Sequence, residues 1–477
     1  MIERRLFKSL FLVLITLTLT GCPIHKSIIK EPVVDIPSSY STVELNTSPP
    51  VGRWWEHFGD ERLDQLIEDA FRNNLDISQA YERLRQVQAL LRITDAAGGP
   101  SLNIDASGGR ARQTGLSVTN TSDTYALSVA ASYEIDLWNR LDAGTEAARF
   151  DLLSSEQDLK ALYISISARL TDLYYLAVEQ RAQLELSDHA IASFNDTLDR
   201  VERRYRGGLV PALDVYQARQ NLYLAKAQKP LFESKLKETL NALSVIAGRF
   251  PEPDIGGDAS ELIDVPRFSA GLPSKLLTNR PDIQAALFRL KASDERVGVA
   301  IADRFPSFNL IGSYGGGGEK IGTVLDSPNI FWNILLQAAQ PVLDAGRRKA
   351  EVERTVAVFM ENLAVYHKTV LNAFREVEDS LTRISASSER IVMLNETVNA
   401  SENSLRLALD RYMNGLTDYL PVLTEQVRHF TVKSDLLSAR RQLIFDTVGL
   451  ARAIGGEWTD KVFQEYISYM KTGEEEK

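Results

Sequence analysis

The chain repeats itself. Arg204 to Asp214 reads RYRGGLVPALD, and 207 residues later Arg411 to Pro421 reads RYMNGLTDYLP. Other pairs share that offset to within one residue. Asn74-Leu75-Asp76-Ile77 matches Arg280-Pro281-Asp282-Ile283, and Pro100-Ser101-Leu102-Asn103-Ile104 matches Pro306-Ser307-Phe308-Asn309-Leu310. Asp136 to Arg140 matches Leu343 to Arg347, and Ile246-Ala247-Gly248 matches Ala453-Ile454-Gly455. A tandem repeat constrains the fold strongly, because whatever one copy builds the other must build as well. The copies span 57–250 and 274–456. A Pro/Gly/Asp-rich linker, 251–273, lies between them, and a tail, 457–477, follows.

Each copy has the same predicted order. A helix comes first, about 62–96 or 274–303, with apolar residues at helical spacing such as Leu63, Leu66, Ile67 and Ala70. Two strand-like segments follow, at about 101–111 and 124–136 in the first copy and 307–316 and 330–343 in the second. A very long helix comes next, about 142–206 or 347–413. The glycine-bearing break at 206–210 or 413–417 then turns the chain into a helix of middle length. At about 1.5 Å per residue the long helices reach roughly 95–100 Å, about twice the first and last helices of a copy. Stacking those two end to end beside one long helix predicts a rod, with both breaks at one end and the strands nearer the other.

The strands alternate. Tyr125, Leu127, Val129 and Tyr133 share one predicted face, as do Phe308 and Leu310, and Trp332, Ile334 and Leu336. Polar residues such as Ser128, Glu134, Asn309 and Gln337 take the other. Lengths near ten residues suit tilted membrane strands, and aromatics near strand ends suit an interfacial girdle. Alternation alone also fits a soluble sheet with one buried face. In lipid, four strands would leave open edges, which do not survive there. The sheet would then be shared between chains. Two chains give eight strands, whose interior side chains fill; three give twelve and leave a wet lumen.

The N-terminus bears on that choice. Arg4, Arg5 and Lys8 precede a short apolar run, Leu10–Leu19, too short to span a bilayer but of signal-peptide form. It ends Leu19-Thr20-Gly21-Cys22, which resembles a bacterial lipoprotein box: residues 1–21 would be removed, Cys22 acylated, and 22–56 held as a lipid-anchored segment. The rival reading is an ordinary signal peptide with a chance cysteine. Cys22 is the only cysteine, so an intramolecular disulfide and a Cys-rich metal site are excluded. A net charge of -10 argues against a nucleic-acid partner.

The ordered motifs resemble the TolC-like outer-membrane efflux factors, most closely the lipoprotein, NodT/OprM-type branch. The residues that carry the resemblance begin with Trp54-Trp55, Phe58, Asp60, Leu63, Leu66, Asn74 and Asp76-Ile77. Arg280-Pro281-Asp282-Ile283, Val297-Gly298 and Phe305-Pro306-Ser307 continue it, with Tyr133 to Trp138 and Gly455-Gly456-Glu457-Trp458. The resemblance covers nearly the whole mature chain. It implies a mainly helical, mixed α and β fold: a homotrimer with a twelve-stranded outer-membrane β-barrel continuous with a periplasmic α-helical barrel. Such a duct has no cofactor and no metal and does no chemistry. It receives small toxic compounds from an inner-membrane RND-type pump and a periplasmic adaptor. The linker and the tail match that family's equatorial region.

By the same resemblance, Gly207, Gly208, Leu209, Val210, Asn414, Gly415, Leu416 and Thr417 are adaptor-docking tips. Asp418, Tyr419, Arg411 and Tyr412 are candidates for a periplasmic gate. Bland alternatives stand beside these: ordinary hairpin turns, and a helix cap supplied by Asp418. No HExxH, GxSxG or P-loop occurs. Gly315–Gly318 is followed by Glu-Lys and reads as a flexible strand-connecting loop. The five histidines are scattered, with His367 and His429 on helix faces, and Glu376 and Glu378 read as solvated or lumen-facing. Other readings are the same duct serving metal ions or a secreted protein, and a lipid-anchored structural or adhesive coiled-coil rod.

Overall fold

The computed structural model describes residues 24–29, 37, 40, 52–114, 119–253, 255, 262, 265–266, 268, 271 and 273–475. Cys22 and most of the inter-repeat linker lie outside them. The long helices are α1 (Glu61–Asn73), α2 (Leu75–Ala96), α3 (Arg140–Arg206), α4 (Ala212–Ile246), α5 (Pro281–Ala302), α6 (Arg347–Met413), α7 (Leu420–Ile454) and α8 (Trp458–Glu475), and a single helical turn, Leu276–Asn279, precedes α5. The strands are β1 (Ser101–Thr114), β2 (Thr119–Ile135), β3 (Ser307–Gly318) and β4 (Ile330–Ala339). No described helix is long and apolar enough to cross a membrane. Contacts divide the described residues into two compact units. One takes those within 1–35, 82–156 and 284–368; the other takes those within 36–81, 157–283 and 369–477.

The first unit holds one four-stranded antiparallel sheet in the order β1-β2-β3-β4. Its register aligns the alternating residues across all four strands. Ile104 faces Val129, Val129 faces Tyr314, and Tyr314 faces Trp332; Tyr133 faces Leu310, which faces Leu336. The apolar residues therefore share one face, and most of them are exposed: Ile104 73%, Trp332 73% and Ile334 74%. All nine residues predicted to meet lipid fall on this face. The strands differ from their predicted lengths at the ends. β4 stops at Ala339 rather than 343, because Pro341 has no N–H to donate to the ladder. Gly315–Gly318 does not connect strands; it is the last part of β3, paired with β2 through Ser128–Tyr125.

At the sheet's helix-bearing end, Asp136 caps α3 by accepting from the backbone N–H groups of Arg140, Leu141 and Asp142 at 2.7–3.0 Å. The Arg140 guanidinium donates to Glu134 at 2.8 and 2.9 Å. The Trp138 indole N–H donates to the Pro306 carbonyl at 2.7 Å. Asp136 and Trp138 thus tie together the junction that the repeated Asp136–Arg140 motif marks.

The second unit is helical. The first helix of each copy is not continuous, as periodicity predicts, but broken at equivalent residues. At Asn74 the backbone is extended, and Oδ1 accepts from the N–H groups of Asp76 and Ile77 at 2.9 and 3.1 Å, restarting the chain as α2. At Arg280 the following Pro281 disfavours helical backbone. Both side chains then reach the end of their own copy's last helix. Asn74 Nδ2 donates to the Ile246 carbonyl at 2.8 Å, and Arg280 Nη1 to the Ala453 carbonyl at 3.0 Å. Arg280 also pairs with Asp282 at 2.6 Å and Glu376 at 2.8 Å. Glu376 is therefore half-buried and ion-paired, not a free solvated carboxylate. Gly455 sits against this break with φ 75, where an added Cβ would lie 2.5 Å from the Asn279 carbonyl oxygen. The sequence landmarks are thus the places where the helix ends of each copy close on themselves.

The tail folds as α8 and joins the N-terminal aromatics. Trp458 packs edge-on against Trp55 at 4.8 Å, and Tyr466 against Tyr81 at 5.6 Å. Trp54, Trp55 and Phe58 are buried. Asp60 caps α1 and accepts from the Tyr174 hydroxyl at 2.7 Å.

Candidate functional site

The two breaks end α3 and α6 in the same way. Gly208 and Gly415 adopt the left-handed conformation, φ 69 and 73, which glycine takes without a Cβ penalty. The N–H of Gly208 donates to the Tyr205 carbonyl, and that of Leu209 to the Arg204 carbonyl, both at 2.9 Å. In the second copy Gly415 donates to Tyr412 at 3.0 Å and Leu416 to Arg411 at 2.9 Å. This pair of bonds is a Schellman motif, built twice. The residue after the glycine often folds back onto the helix in such a motif. Here it does not: Leu209 and Leu416 are each 68% exposed. Val210, by contrast, packs against the core between the hairpins, and Thr417 is half-buried.

The two turns are joined by side chains. The Arg204 guanidinium stacks over the Tyr412 ring at 5.0 Å and donates to the Met413 carbonyl. The Tyr412 hydroxyl donates to Asp214 Oδ2 at 3.2 Å. Tyr412 and Tyr419 lie 5.5 Å apart, 2% and 1% exposed, in one apolar cluster with Val201, Val215 and Val422. Burial pushes the Asp214 carboxyl above its ordinary value, and nearby Asp418 adds to this, against the Tyr412 hydrogen bond and Arg204. Burial raises the Tyr419 phenol to about 12 and raises Tyr412 too, so both are neutral at any working pH, Tyr412 as a donor to Asp214 and Tyr419 with a buried hydroxyl that makes no hydrogen bond among the described residues.

The structure therefore divides the four gate candidates. Tyr412 and Tyr419 face into the chain's own core. Arg411 and Asp418 are exposed. Asp418 does not cap α7, which starts without a side-chain cap. Two partners were missed from sequence, Arg204 and Asp214. Both stand in the first break's own motif, but nothing local shows that they turn toward the second. Further along the hairpins, Gln426 is wholly buried and donates to Ser193 at 2.9 Å and Thr197 at 3.1 Å. That polar contact fixes the register of α7 against α3. Among the described residues no group of His, Asp or Glu is placed to hold a metal ion.

Comparison with known proteins agrees with this duplicated layout. The family profile described as outer membrane efflux protein matches residues 66–249 and again 272–456. The antibiotic efflux pump outer membrane protein ArpC of Pseudomonas putida is 31% identical over 421 residues, 86% of each chain. The pyoverdine export outer membrane protein OpmQ of Pseudomonas aeruginosa is 28% identical over 429 residues, 88% of this chain and 90% of that one. The open-state MtrE outer membrane channel of Neisseria gonorrhoeae superposes with a TM-score of 0.81 at 25% identity, covering 92% of this chain and 99% of that one. The chain belongs to the outer membrane efflux protein family.

Proposed function

We propose that this outer-membrane efflux protein is the passive exit duct of a tripartite system, working as a homotrimer. The observation that carries the assembly is the sheet: one exposed apolar face and two unpaired edges, β1 and β4. Such edges are untenable in lipid unless they pair. Three copies close a twelve-stranded barrel with an open lumen, whereas two would fill theirs. The polar face, with Asn309 and Gln337, then lines the water-filled interior. In this reading Cys22 is acylated after removal of 1–21, and the segment to residue 56 is held at the membrane. The linker 251–273 and the tail 457–477 form the equatorial region.

Leu209 and Leu416 offer apolar anchors to a periplasmic adaptor. Arg411 and Asp418 form the closing contacts between chains, while Tyr412 and Tyr419 hold the two turns of one chain together. An inner-membrane pump of the RND type supplies the cargo. The names of the relatives include an antibiotic and a pyoverdine, both small compounds, which favours small-molecule cargo here over metal ions or a secreted protein. A lipid-anchored coiled-coil rod has no use for an exposed apolar sheet face.

The test is made on outer membranes containing the full chain. Heat-modifiable trimers and single-channel steps in planar bilayers are expected. Monomers without conductance would overturn the duct.

A further inference from the structure

The four consecutive glycines of β3 need a reason beyond pairing. Gly316 and Gly318 point to the apolar face, beside Leu127 and Tyr125 in the register. An added Cβ on Gly316 would collide with the Val324 carbonyl; one on Gly318 would lie 3.4 Å from the Asn329 side chain and 3.5 Å from Thr323. The glycines clear the strand so that the β3–β4 connection can lie down on it. That connection is ordered by its own bonds. Thr323 N–H donates to the Lys320 carbonyl at 3.1 Å, and Asn329 N–H to Asp326 at 2.8 Å. Asn329 Nδ2 donates to the Thr323 carbonyl at 2.7 Å. Val324 is buried beneath it, yet Ile321 and Leu325 remain 77% and 66% exposed.

Between connection and sheet lies a cavity of about 440 Å³, walled by Tyr125, Leu127, Ala106, Ile321, Val324 and Leu325. Its wall is mostly apolar, and one of its lining residues, the exposed Leu127, also belongs to the sheet's apolar face, with exposed Val129 next to it along that face. A connection folded over the polar face would narrow the lumen. This one lies on the opposite side, at the end of the sheet away from the helices.

We propose that residues 319–329, with the apolar face beneath them, form a binding site for the acyl chain of an outer-leaflet lipid. Continuity with the lipid-facing surface selects this occupant: the niche opens onto the region where acyl chains lie, and an exposed isoleucine and leucine on an ordered turn need an apolar cover. The proposal rests on the reading that the apolar face meets lipid.

The test uses the full chain in nanodiscs of phosphatidylethanolamine doped with a diazirine-acyl phosphatidylethanolamine. After irradiation the labelled peptides are mapped, and lipid retained through detergent washing is counted. Label concentrated on Ile321, Leu325 and Tyr125, with one lipid retained per chain, is expected. Leu325→Asp should cut retention about tenfold, the effect of opposing one buried leucine contact. Gly316→Leu, which crowds the strand–connection contact, should do the same by another route. Label spread over Trp332, Ile334 and Leu336 but absent from 319–329 would overturn the site while leaving the membrane reading intact. In a chain carrying a photoreactive leucine at position 325, crosslinks to a second copy instead of to lipid would overturn it in favour of a protein contact. A sheet without label anywhere would overturn both.

Discussion

His429 carries a pH dependence whose sign follows from its surroundings. It is 6% exposed, and Nδ1 lies 3.0 Å from Ser401 Oγ. Burial, then Lys433, lowers its pKa from the usual value near 6.5, with Glu402 opposing. A histidine whose folded pKa is depressed binds its proton more readily when unfolded. Its contribution is complete above about pH 6.5 and is lost as the pH falls below it. Asp172 acts in the opposite direction. Burial raises its carboxyl to about 7, and Oδ1 has no hydrogen-bond partner among the described residues. The folded chain therefore gains stability from this group as the pH falls from 7 toward 4. The wild-type slope mixes the two, so substitution must separate them. His429→Gln should lose less stability than wild type between pH 7.5 and 5.5, measured by denaturant unfolding of the full chain. An unchanged difference between the two proteins across that range would refute this. The sequence places His429 on a helix but not on its buried side, because α7 carries apolar residues around most of its circumference. That placement needs the packed neighbour.

At the scale of the element, the paired turns make the clearest claim. Each ends a helix of 67 residues with the same two backbone bonds and leaves a leucine outward. Burying one leucine in a partner contributes about 1.5–3 kcal/mol, or roughly 10- to 100-fold in affinity. Leu209→Asp and Leu416→Asp should therefore each weaken adaptor capture by at least about tenfold, with trimer level in the outer membrane unchanged. Normal export by the double variant would rule out docking through these residues. The turns were legible in sequence because glycine and Asn-Gly are the cheapest route to a left-handed residue. The breaks at Asn74 and Arg280 were not. Apolar periodicity runs through both, and the helix is interrupted by contacts to Ile246 and Ala453, some 172 residues away in each copy. Strand faces were legible because a period of two admits only two registers. Strand ends were less so, apart from the stop that Pro341 imposes.

For the whole molecule, the duplication sets what can close. Tyr412 and Tyr419 are buried inside the chain, so under the proposed trimer the exposed Arg411 and Asp418 are the gate candidates left to meet a neighbouring chain. Arg411→Ala together with Asp418→Ala should raise the open fraction and single-channel conductance in planar bilayers several-fold, with trimer yield unchanged. Conductance equal to wild type would show that closure lies elsewhere. Charge alone did not assign these roles. The sequence offers four polar residues around the second turn, and only packing separates the two that face inward.

Arg204 and Tyr412 meet within one chain, and each has a counterpart 207 residues away: Arg411 for Arg204, and Tyr205 for Tyr412. The counterparts are left outward, Tyr205 at 48% exposure. Every chain thus carries, exposed beside its two turns, the counterparts of a pairing it also makes internally. If the proposed trimer is a head-to-tail ring, a contact between Arg411 of one chain and Tyr205 of the next would imitate the internal pair and make the threefold ring pseudo-sixfold. Three of its six steps are covalently tethered and three are not. Opening would then part only the untethered half, so the aperture would widen by alternate steps, like an iris with every second blade fixed to its neighbour.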